Sequence, residues 1–204
     1  MSVEYWNNYY SIKNSPFENS LFSKFVLDKL EHSKSLIDIG CGNGRDSLFF
    51  SKNKIKTLGI DFSKSAIKNL KQYSNKNLEF NKIDIASINT QLIDRYFDYG
   101  YCRFLLHSLD EDTEMQLFLW LSKYIKDSIF IETRIDKDLE NEKFQNHYRR
   151  SINSEKLYKL IENFNFEIIY SKISNKFSPY NQNYEVKDIR NNPFLLRIVA
   201  IRKK

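Results

Sequence analysis

Residues Ser35–Phe50 read SLIDIGCGNGRDSLFF. The chain of 204 residues contains only five glycines, and three of them, Gly40, Gly42 and Gly44, stand here at alternate positions. An apolar run precedes them, and a second run with apolar residues follows. This order predicts a buried strand, a tight turn with bare backbone, and a helix. In parallel α/β sheets such a turn, just beyond the carboxyl end of a strand, is the usual place for a ligand.

Strands and helices alternate along the chain. The predicted strands are Ser35–Ile39, Ile55–Ile60, Leu78–Ile83, Phe97–Arg103, Ser128–Glu132, Phe166–Ile173 and Phe194–Arg202. The predicted helices are Leu21–Leu30, Arg45–Phe50, Ser63–Tyr73, Asn89–Arg95, Glu111–Tyr124 and Ser154–Asn163. This alternation predicts an α/β fold with a doubly wound, mostly parallel, seven-stranded sheet. No helix separates the last two strands, so we expect them to form an antiparallel pair at one edge.

Length and composition predict one domain over residues 1–204, with a lid or helix segment at 1–33 and a core at 34–204. The chain is 41% hydrophobic and has no apolar run of about 18 residues. The N-terminus does not resemble a signal peptide, so we expect a soluble cytoplasmic protein without membrane contact. The two cysteines, Cys41 and Cys102, fit no metal-ligand spacing. A net charge of +6 is compatible with an anionic partner or with good solubility, and alone it decides neither.

Three acids stand at or near the ends of the first three strands. Asp38 lies two residues before Gly40, the first of the glycines, which have the spacing GxGxG and not the GxGxxG of dinucleotide sites. Asp61 ends the second strand, 21 residues after Gly40, where a carboxylate can accept both hydroxyls of a ribose. Asp84 ends the third strand in NKID, a suitable position for an adenine amino group. Alternatively, these acids only end strands and cap the following helices.

The pattern LIDIGCGNGRDS, LGIDFS, NKIDI resembles the cofactor motifs of class I S-adenosylmethionine-dependent methyltransferases, in order and spacing. The segment Gly42–Phe50, GNGRDSLFF, resembles the small tellurite-resistance-type branch of these methyltransferases. The resemblance implies a Rossmann-like fold and S-adenosylmethionine as the cofactor, with no metal. It also implies that Gly40–Gly44 carries the methionine moiety, that Asp61 holds the ribose, and that Asp84 with Ile85 frames the adenine. Asp38 would orient the loop or reach the cofactor's amino group through water.

Residues after the fourth and fifth strands are candidates for the acceptor site. His107 is the candidate base, since its ordinary pKa lies near neutrality; alternatively it caps or packs the following helix. Arg103, at the end of the fourth strand, and Glu132 and Arg134, in IETR at the end of the fifth, are predicted to line the pocket rim. The Asn/Asp-Pro-Pro-aromatic motif of methylases that act on adenine or glutamine amino groups is absent.

A second cluster reads His147-Tyr148-Arg149-Arg150. Two guanidiniums can fork around phosphate or carboxylate, and the alternative is a solvated turn. We expect Tyr148, Arg149 and Arg150 to bind the acceptor in one pocket with the candidates after the fourth strand.

The N-terminal aromatics Trp6, Tyr9 and Tyr10 either line a lid over the cofactor, with Tyr9 on the acceptor side, or fasten the N-terminal helix to the sheet.

A further pattern consists of Arg103-Phe104 with His107, then Glu132-Thr133-Arg134, then HYRR before SINSEKL and a terminal Arg-Ile-Val-Ala. It resembles small methyltransferases found with bacterial surface-polysaccharide genes. That resemblance implies a small anionic acceptor, a phosphorylated or nucleotide-linked glycan precursor that is methylated on oxygen. The dispersed lysines argue against nucleic acid as a partner. An RNA methyltransferase, a metalloid or thiol methylase, and a non-catalytic S-adenosylmethionine-binding protein remain alternatives, and the oligomeric state stays open.

Overall fold

The computed structural model describes residues 3–12, 18–92, 94–135, 149–177 and 194–204. Within them the helices are α1 (Val3–Ile12), α2 (Leu21–Leu27), α3 (Arg45–Lys52), α4 (Lys64–Leu70), α5 (Ile88–Gln91), α6 (Glu111–Tyr124) and α7 (Ser154–Asn163). The strands are β1 (Ser35–Ile39), β2 (Lys56–Asp61), β3 (Leu78–Lys82), β4 (Phe97–Arg103), β5 (Ile125–Ile135), β6 (Phe166–Ser174) and β7 (Phe194–Arg202). Most of the predicted charged segment, at 136–148, and of the connection before β7, at 178–193, lies outside the described residues.

The seven strands form one sheet in the order β3-β2-β1-β4-β5-β7-β6. The first five strands are parallel, whereas β7 is antiparallel to both of its neighbours, β5 and β6. The predicted fold class and the antiparallel terminal pair are therefore confirmed. Because β1 lies between β2 and β4, the direction of winding reverses there, and the carboxyl ends of β1 and β4 meet at the ligand-binding edge.

Apolar side chains cover both faces of the sheet. On one face Trp120 and Tyr124 of α6 lead the larger cluster, and the Trp120 indole donates to the Leu92 carbonyl at 3.0 Å. On the other face Phe22 of α2 stacks on Tyr101 of β4 at 5.2 Å between ring centroids. Side chains alternate between the two faces along a strand. A residue at the carboxyl edge therefore faces either the α6 layer or the α2 layer, according to its position in the strand.

Several predicted boundaries shift for local reasons. Helix α5 ends at Gln91, before the predicted Arg95, because Leu92 leaves the helical region with a φ of -120° and a ψ of 62°. Asp94, beyond it, has a φ of 58°, which a right-handed helix does not contain. Helix α2 ends at Leu27, and the N–H of Leu30 then bonds the Leu27 carbonyl in a tight turn. Strand β5 is longer than predicted, because α6 passes into it without a loop.

Candidate active site

The glycine turn joins β1 to α3 in left-handed backbone. The φ angle is 73° at Gly40, 54° at Gly42 and 71° at Gly44, a region that residues with a Cβ disfavour. The N–H groups of Gly40 and Cys41 both donate to the Ile60 carbonyl at 2.9 Å, which holds the turn against the end of β2. The turn therefore presents bare main chain at the carboxyl edge of the sheet.

Asp61 closes this turn from the end of β2. Its Oδ2 accepts the Gly42 N–H at 2.9 Å, and its Oδ1 accepts the Ser63 N–H at 2.8 Å. Burial raises the pKa of Asp61, and the N–H groups of Ser63 and Gly42 oppose that rise. Asp61, the predicted ligand of the ribose, thus contacts the turn that is predicted to bind the methionine moiety. A single cofactor that occupies both places requires this arrangement. Its contact with the ribose stays a prediction.

Helix α1 covers the glycine turn. Asn7 Oδ1 accepts from the Ser63 hydroxyl at 3.0 Å and from the Ser65 N–H at 3.3 Å, which docks α1 on the start of α4. The Tyr10 hydroxyl packs on Gly42 so closely that a Cβ there would collide with it. Burial, and next the charge of Asp61, raises the pKa of Tyr10 well above its ordinary value. A Cβ at position 42 would thus have to displace the Tyr10 ring, and the φ of 54° disfavours a side chain there as well.

The other aromatics of α1 pack on one another. Trp6 stacks on Tyr10 with 5.8 Å between centroids, and Tyr9 stacks on Tyr5 at 6.3 Å. The aromatic residue that reaches the turn is Tyr10, while the acceptor-side role of Tyr9 stays a prediction.

The contact between Tyr10 and Gly42 predicts a coupled pair. Gly42→Ala should destabilise the protein by about 1–3 kcal/mol through overpacking against the phenol, in addition to the cost of its φ. In a Tyr10→Ala background the same substitution should cost only the backbone part. Urea unfolding of the four proteins in this double-mutant cycle measures the coupling. Equal costs of Gly42→Ala in both backgrounds would refute the packing of α1 on the turn.

Asp38 and Asp46 form a buried polar layer beneath the turn. The Ser47 hydroxyl donates to Asp38 Oδ2 at 2.5 Å, which links β1 to α3 and fits the predicted role in orienting the loop. Burial, together with the charge of Asp46, raises the pKa of Asp38 to about 7. Asp46, which we did not select from the sequence, accepts the Tyr101 hydroxyl at 2.7 Å.

The predicted adenine residues lie at the end of β3. Asp84 is exposed, and its carboxylate accepts the Ala86 N–H at 3.1 Å, so it caps the short turn that follows. Ile85 is buried in the core, which leaves only its main chain to face a ligand. Their contacts with adenine stay predictions.

At the end of β4, Arg103 belongs to a buried group of charges. Arg103 Nε donates to Glu132 Oε1 at 2.8 Å, and Arg197 Nε of β7 donates to Glu132 Oε2 at 2.6 Å. Burial lowers the pKa of Arg103, but the charges of Glu132, Tyr101 and Asp46 together with the hydrogen bond to Glu132 more than offset this and leave the pKa above its ordinary value. Arg197 was not among the predicted site residues. The signal for it was an arginine inside the apolar strand FLLRIVAI.

Phe104 continues the chain from Arg103 with a φ of 54°. A bulky residue in this region is a backbone outlier of the kind that gathers at functional sites. The guanidinium carbon of Arg103 lies 4.0 Å from the centre of its ring, and that of Arg134 lies 5.8 Å away. The predicted rim residues Arg103, Glu132 and Arg134 are therefore together at the ends of β4 and β5.

His107 and Arg150 form a separate group. His107 is buried beside the Phe104 ring, and its carbonyl accepts the Arg150 N–H at 2.9 Å. The Arg150 guanidinium binds the Leu109 carbonyl at 2.7 Å and Glu114 of α6 at 2.6 Å.

Arg103 and Arg150 thus bind different carboxylates, and the expected convergence of Arg103, His107, Arg149 and Arg150 on one pocket stays a prediction. Arg103 faces the α2 layer and binds Glu132, whereas Arg150 faces α6 and binds Glu114. Arg149 is half-buried next to Arg150. Tyr148 and His147 lie outside the described residues. The roles of His107 as base and of Tyr148, Arg149 and Arg150 in acceptor binding stay predictions.

The described ranges lack two kinds of feature. No three His, Cys, Asp or Glu side chains there are placed to hold a metal ion. No helix there has the length and apolarity to cross a membrane.

Comparison with known proteins agrees with this geometry. The model of a family described as "Methyltransferase domain" matches residues 30–181. A curated relative named "Putative methyltransferase 235L", from Invertebrate iridescent virus 6, is 37% identical over 101 residues, which are 48% of this chain and 36% of that protein. The match therefore spans about a third of that relative's length.

Solved structures show the same fold. The 1,6-didemethyltoxoflavin-N1-methyltransferase of Burkholderia thailandensis, crystallised with S-adenosylhomocysteine, has a TM-score of 0.70 at 15% identity, over 90% of this chain and 77% of that one. The magnesium protoporphyrin IX methyltransferase of Synechocystis PCC 6803, also with S-adenosylhomocysteine, has a TM-score of 0.66 at 13% identity, over 90% and 80% of the two chains. The chain belongs to the methyltransferase domain family, and its fold is that of methyltransferases crystallised with S-adenosylhomocysteine.

Proposed function

We propose that the protein transfers a methyl group from S-adenosylmethionine to a small anionic acceptor in the cytoplasm. The acceptor would be a phosphorylated or nucleotide-linked glycan precursor, methylated on oxygen during polysaccharide biosynthesis. The observation that carries the proposal is the meeting of two groups at one edge: the glycine turn closed by Asp61, and the arginines Arg103 of β4 and Arg197 of β7. The resemblance to the tellurite-resistance-type and surface-polysaccharide branches supports the finer part.

On this proposal, residues 1–204 form one domain whose N-terminal 1–33 segment covers the cofactor. The main chain of Gly40, Gly42 and Gly44 would carry the methionine moiety, and Asp61 would accept the ribose hydroxyls. Asp38 would orient the turn toward the cofactor's amino group, and Asp84 with the Ile85 main chain would frame the adenine.

The bound sulfonium supplies an activated methyl group, so the chain mainly has to align the acceptor and exclude water. Tyr10, which packs over Gly42, is suited to exclude water from that side. His107 would take the proton of an acceptor hydroxyl. Arg103, Arg134, Arg149 and Arg150, with Tyr9, Glu132 and Tyr148, would surround the acceptor.

Transfer of a labelled methyl group tests this function. The purified protein and labelled S-adenosylmethionine are incubated with a panel of sugar nucleotides, phosphosugars, carboxylic acids, thiols and tRNA. We expect the label on a phosphosugar or sugar nucleotide, with no divalent ion required. Label only on thiols or only on tRNA would overturn the acceptor assignment. Binding of S-adenosylmethionine without any transfer would favour a non-catalytic binding protein.

A further inference from the structure

Four strands each place one residue in a row across the sheet, near its carboxyl edge. Ile39 of β1 pairs with Cys102 of β4, so the next residue, Arg103, lies level with the start of the glycine turn. Arg103 pairs with Glu132 of β5, and Glu132 pairs with Arg197 of β7. The row therefore runs from the predicted cofactor site to β7, at a strand spacing of about 4.8 Å.

Glu132 orients the two guanidiniums. Its side chain is only 1% exposed and binds each arginine through Nε. The Nη nitrogens of Arg103 and Arg197 have no hydrogen-bonded partner among the residues that the structure describes. Among the described residues these nitrogens therefore keep hydrogen-bonding capacity for a ligand, although the two side chains are only 9% and 7% exposed.

Aromatic rings cover the faces of both guanidiniums. The guanidinium carbon of Arg103 lies 4.0 Å from the centre of the Phe104 ring, and that of Arg197 lies 4.0 Å from the centre of the Phe177 ring. With faces covered and Nε occupied, each guanidinium keeps its Nη edge for a ligand in its own plane. Oxyanions bind arginine in this geometry, often through two parallel hydrogen bonds.

The charges of the group favour an anion. Two guanidiniums share one carboxylate, which leaves one positive charge on these three residues, and the Asp46 charge offsets part of it at Arg103. The carboxyl groups of Asp38 and Asp46 lie on the glycine-turn side of Arg103 and take their hydrogen bonds from other donors: Ser47 for Asp38, and Ser20 and Tyr101 for Asp46. An anion at the Nη edges would complete the buried group without displacing any of these bonds.

We infer that Arg103 and Arg197 bind an oxyanion of the acceptor, a carboxylate or a phosphate, with Glu132 as the positioning residue. This inference rests on the proposed function and adds Arg197 to it. The Nη edges lie between β4 and β7, so the bound oxyanion is roughly two strand spacings, or about 10 Å, from the glycine turn. That separation matches an acceptor in which a sugar or comparable unit stands between the anion and the methylated atom.

Calorimetry with simple anions tests the inference. The protein is saturated with S-adenosylhomocysteine and titrated with inorganic phosphate and, separately, with malonate, which tells a phosphate site from a carboxylate site. We expect one anion to bind, and its affinity to fall about tenfold or more in Arg197→Gln, since a charge-assisted hydrogen-bond pair is lost. Arg197→Lys and Arg103→Lys, which keep the charge but lose the fork, should also weaken binding. Arg95→Gln is the control, because that guanidinium is exposed and pairs with Glu79 away from the group.

The outcomes separate this inference from the proposed function. Unchanged anion affinity in the Arg197 variants, or no binding of either anion by the wild type, would overturn it. Failure of the wild type to bind S-adenosylhomocysteine would instead overturn the proposed function. If Arg197→Gln does not fold, the two lysine variants decide. Glu132→Gln tests positioning: anion affinity should fall while S-adenosylhomocysteine affinity holds, and a purely structural Glu132 would leave both unchanged in the folded protein.

Discussion

Glu132→Ala is expected to lower the free energy of unfolding by about 3–5 kcal/mol, because it leaves two buried guanidiniums side by side without their shared carboxylate. Arg103 and Arg197 would then repel each other, and both would lose the hydrogen bond made through Nε. Urea unfolding followed by circular dichroism measures the change.

The matched control is Glu79→Ala, which removes an exposed carboxylate paired with Arg95. Exposed pairs contribute little, so its effect should be about 1 kcal/mol or less. Similar losses from both substitutions would contradict the buried, shared position of Glu132.

A triple replacement separates stability from function in the same group. Replacing Arg103, Glu132 and Arg197 together by methionine removes all three charges, so none of the three is left without its partner. Buried ion groups replaced in this way often give proteins as stable as the original or more so. Such a variant would be expected to fold, and to bind neither phosphate nor malonate.

Asp61→Ala is expected to weaken S-adenosylhomocysteine binding at least about tenfold, since charge-assisted hydrogen bonds contribute about 1.5–3 kcal/mol. The structure adds a second reason for the loss. The Gly42 N–H donates to Asp61, so the substitution also removes the acceptor that holds the glycine turn closed. Calorimetry at constant pH measures the affinity, and circular dichroism shows whether the fold survives.

Asp98→Ala is the control for this experiment. Asp98 also accepts a backbone N–H and a hydroxyl, both from Ser35, but at the amino end of β1, opposite the glycine turn. It should lower stability and leave cofactor affinity unchanged. An Asp61 variant that binds S-adenosylhomocysteine as tightly as the wild type would place the ribose elsewhere.

Most of the fold could be predicted from local patterns in the sequence. The apolar runs, the glycines and the acid at the end of β2 were visible because each depends on neighbours in the chain. Strand β4 and helix α6 have the predicted boundaries for the same reason. The end of α5 shows the limit, since Leu92 and Asp94 leave the helical region although neither is a glycine or a proline.

Partners across the fold were harder to predict. Arg197 and Glu132 are 65 residues apart and meet only because β7 lies beside β5. The apolar strand around Arg197 predicted burial but not which carboxylate would compensate its charge. Tyr10 likewise stood in a run of aromatics, and only the docking of α1 through Asn7 decides which ring reaches Gly42. The pairing of Arg150 with Glu114 came from the same kind of long-range contact.

The place of β7 between β5 and β6 has a consequence for how the protein matures. Strand β6 is synthesised before β7, and in this strand order it has no neighbouring strand until β7 joins the sheet. The edge of β5 stays unpaired for the same interval. Exposed edges of this kind invite pairing with other chains, and long-range strand pairing is slow. The glycine turn needs only β1, β2 and the start of α3, so it can form on the nascent chain. The acceptor end of the row waits for β7, and the two halves of the site therefore mature at different stages of folding.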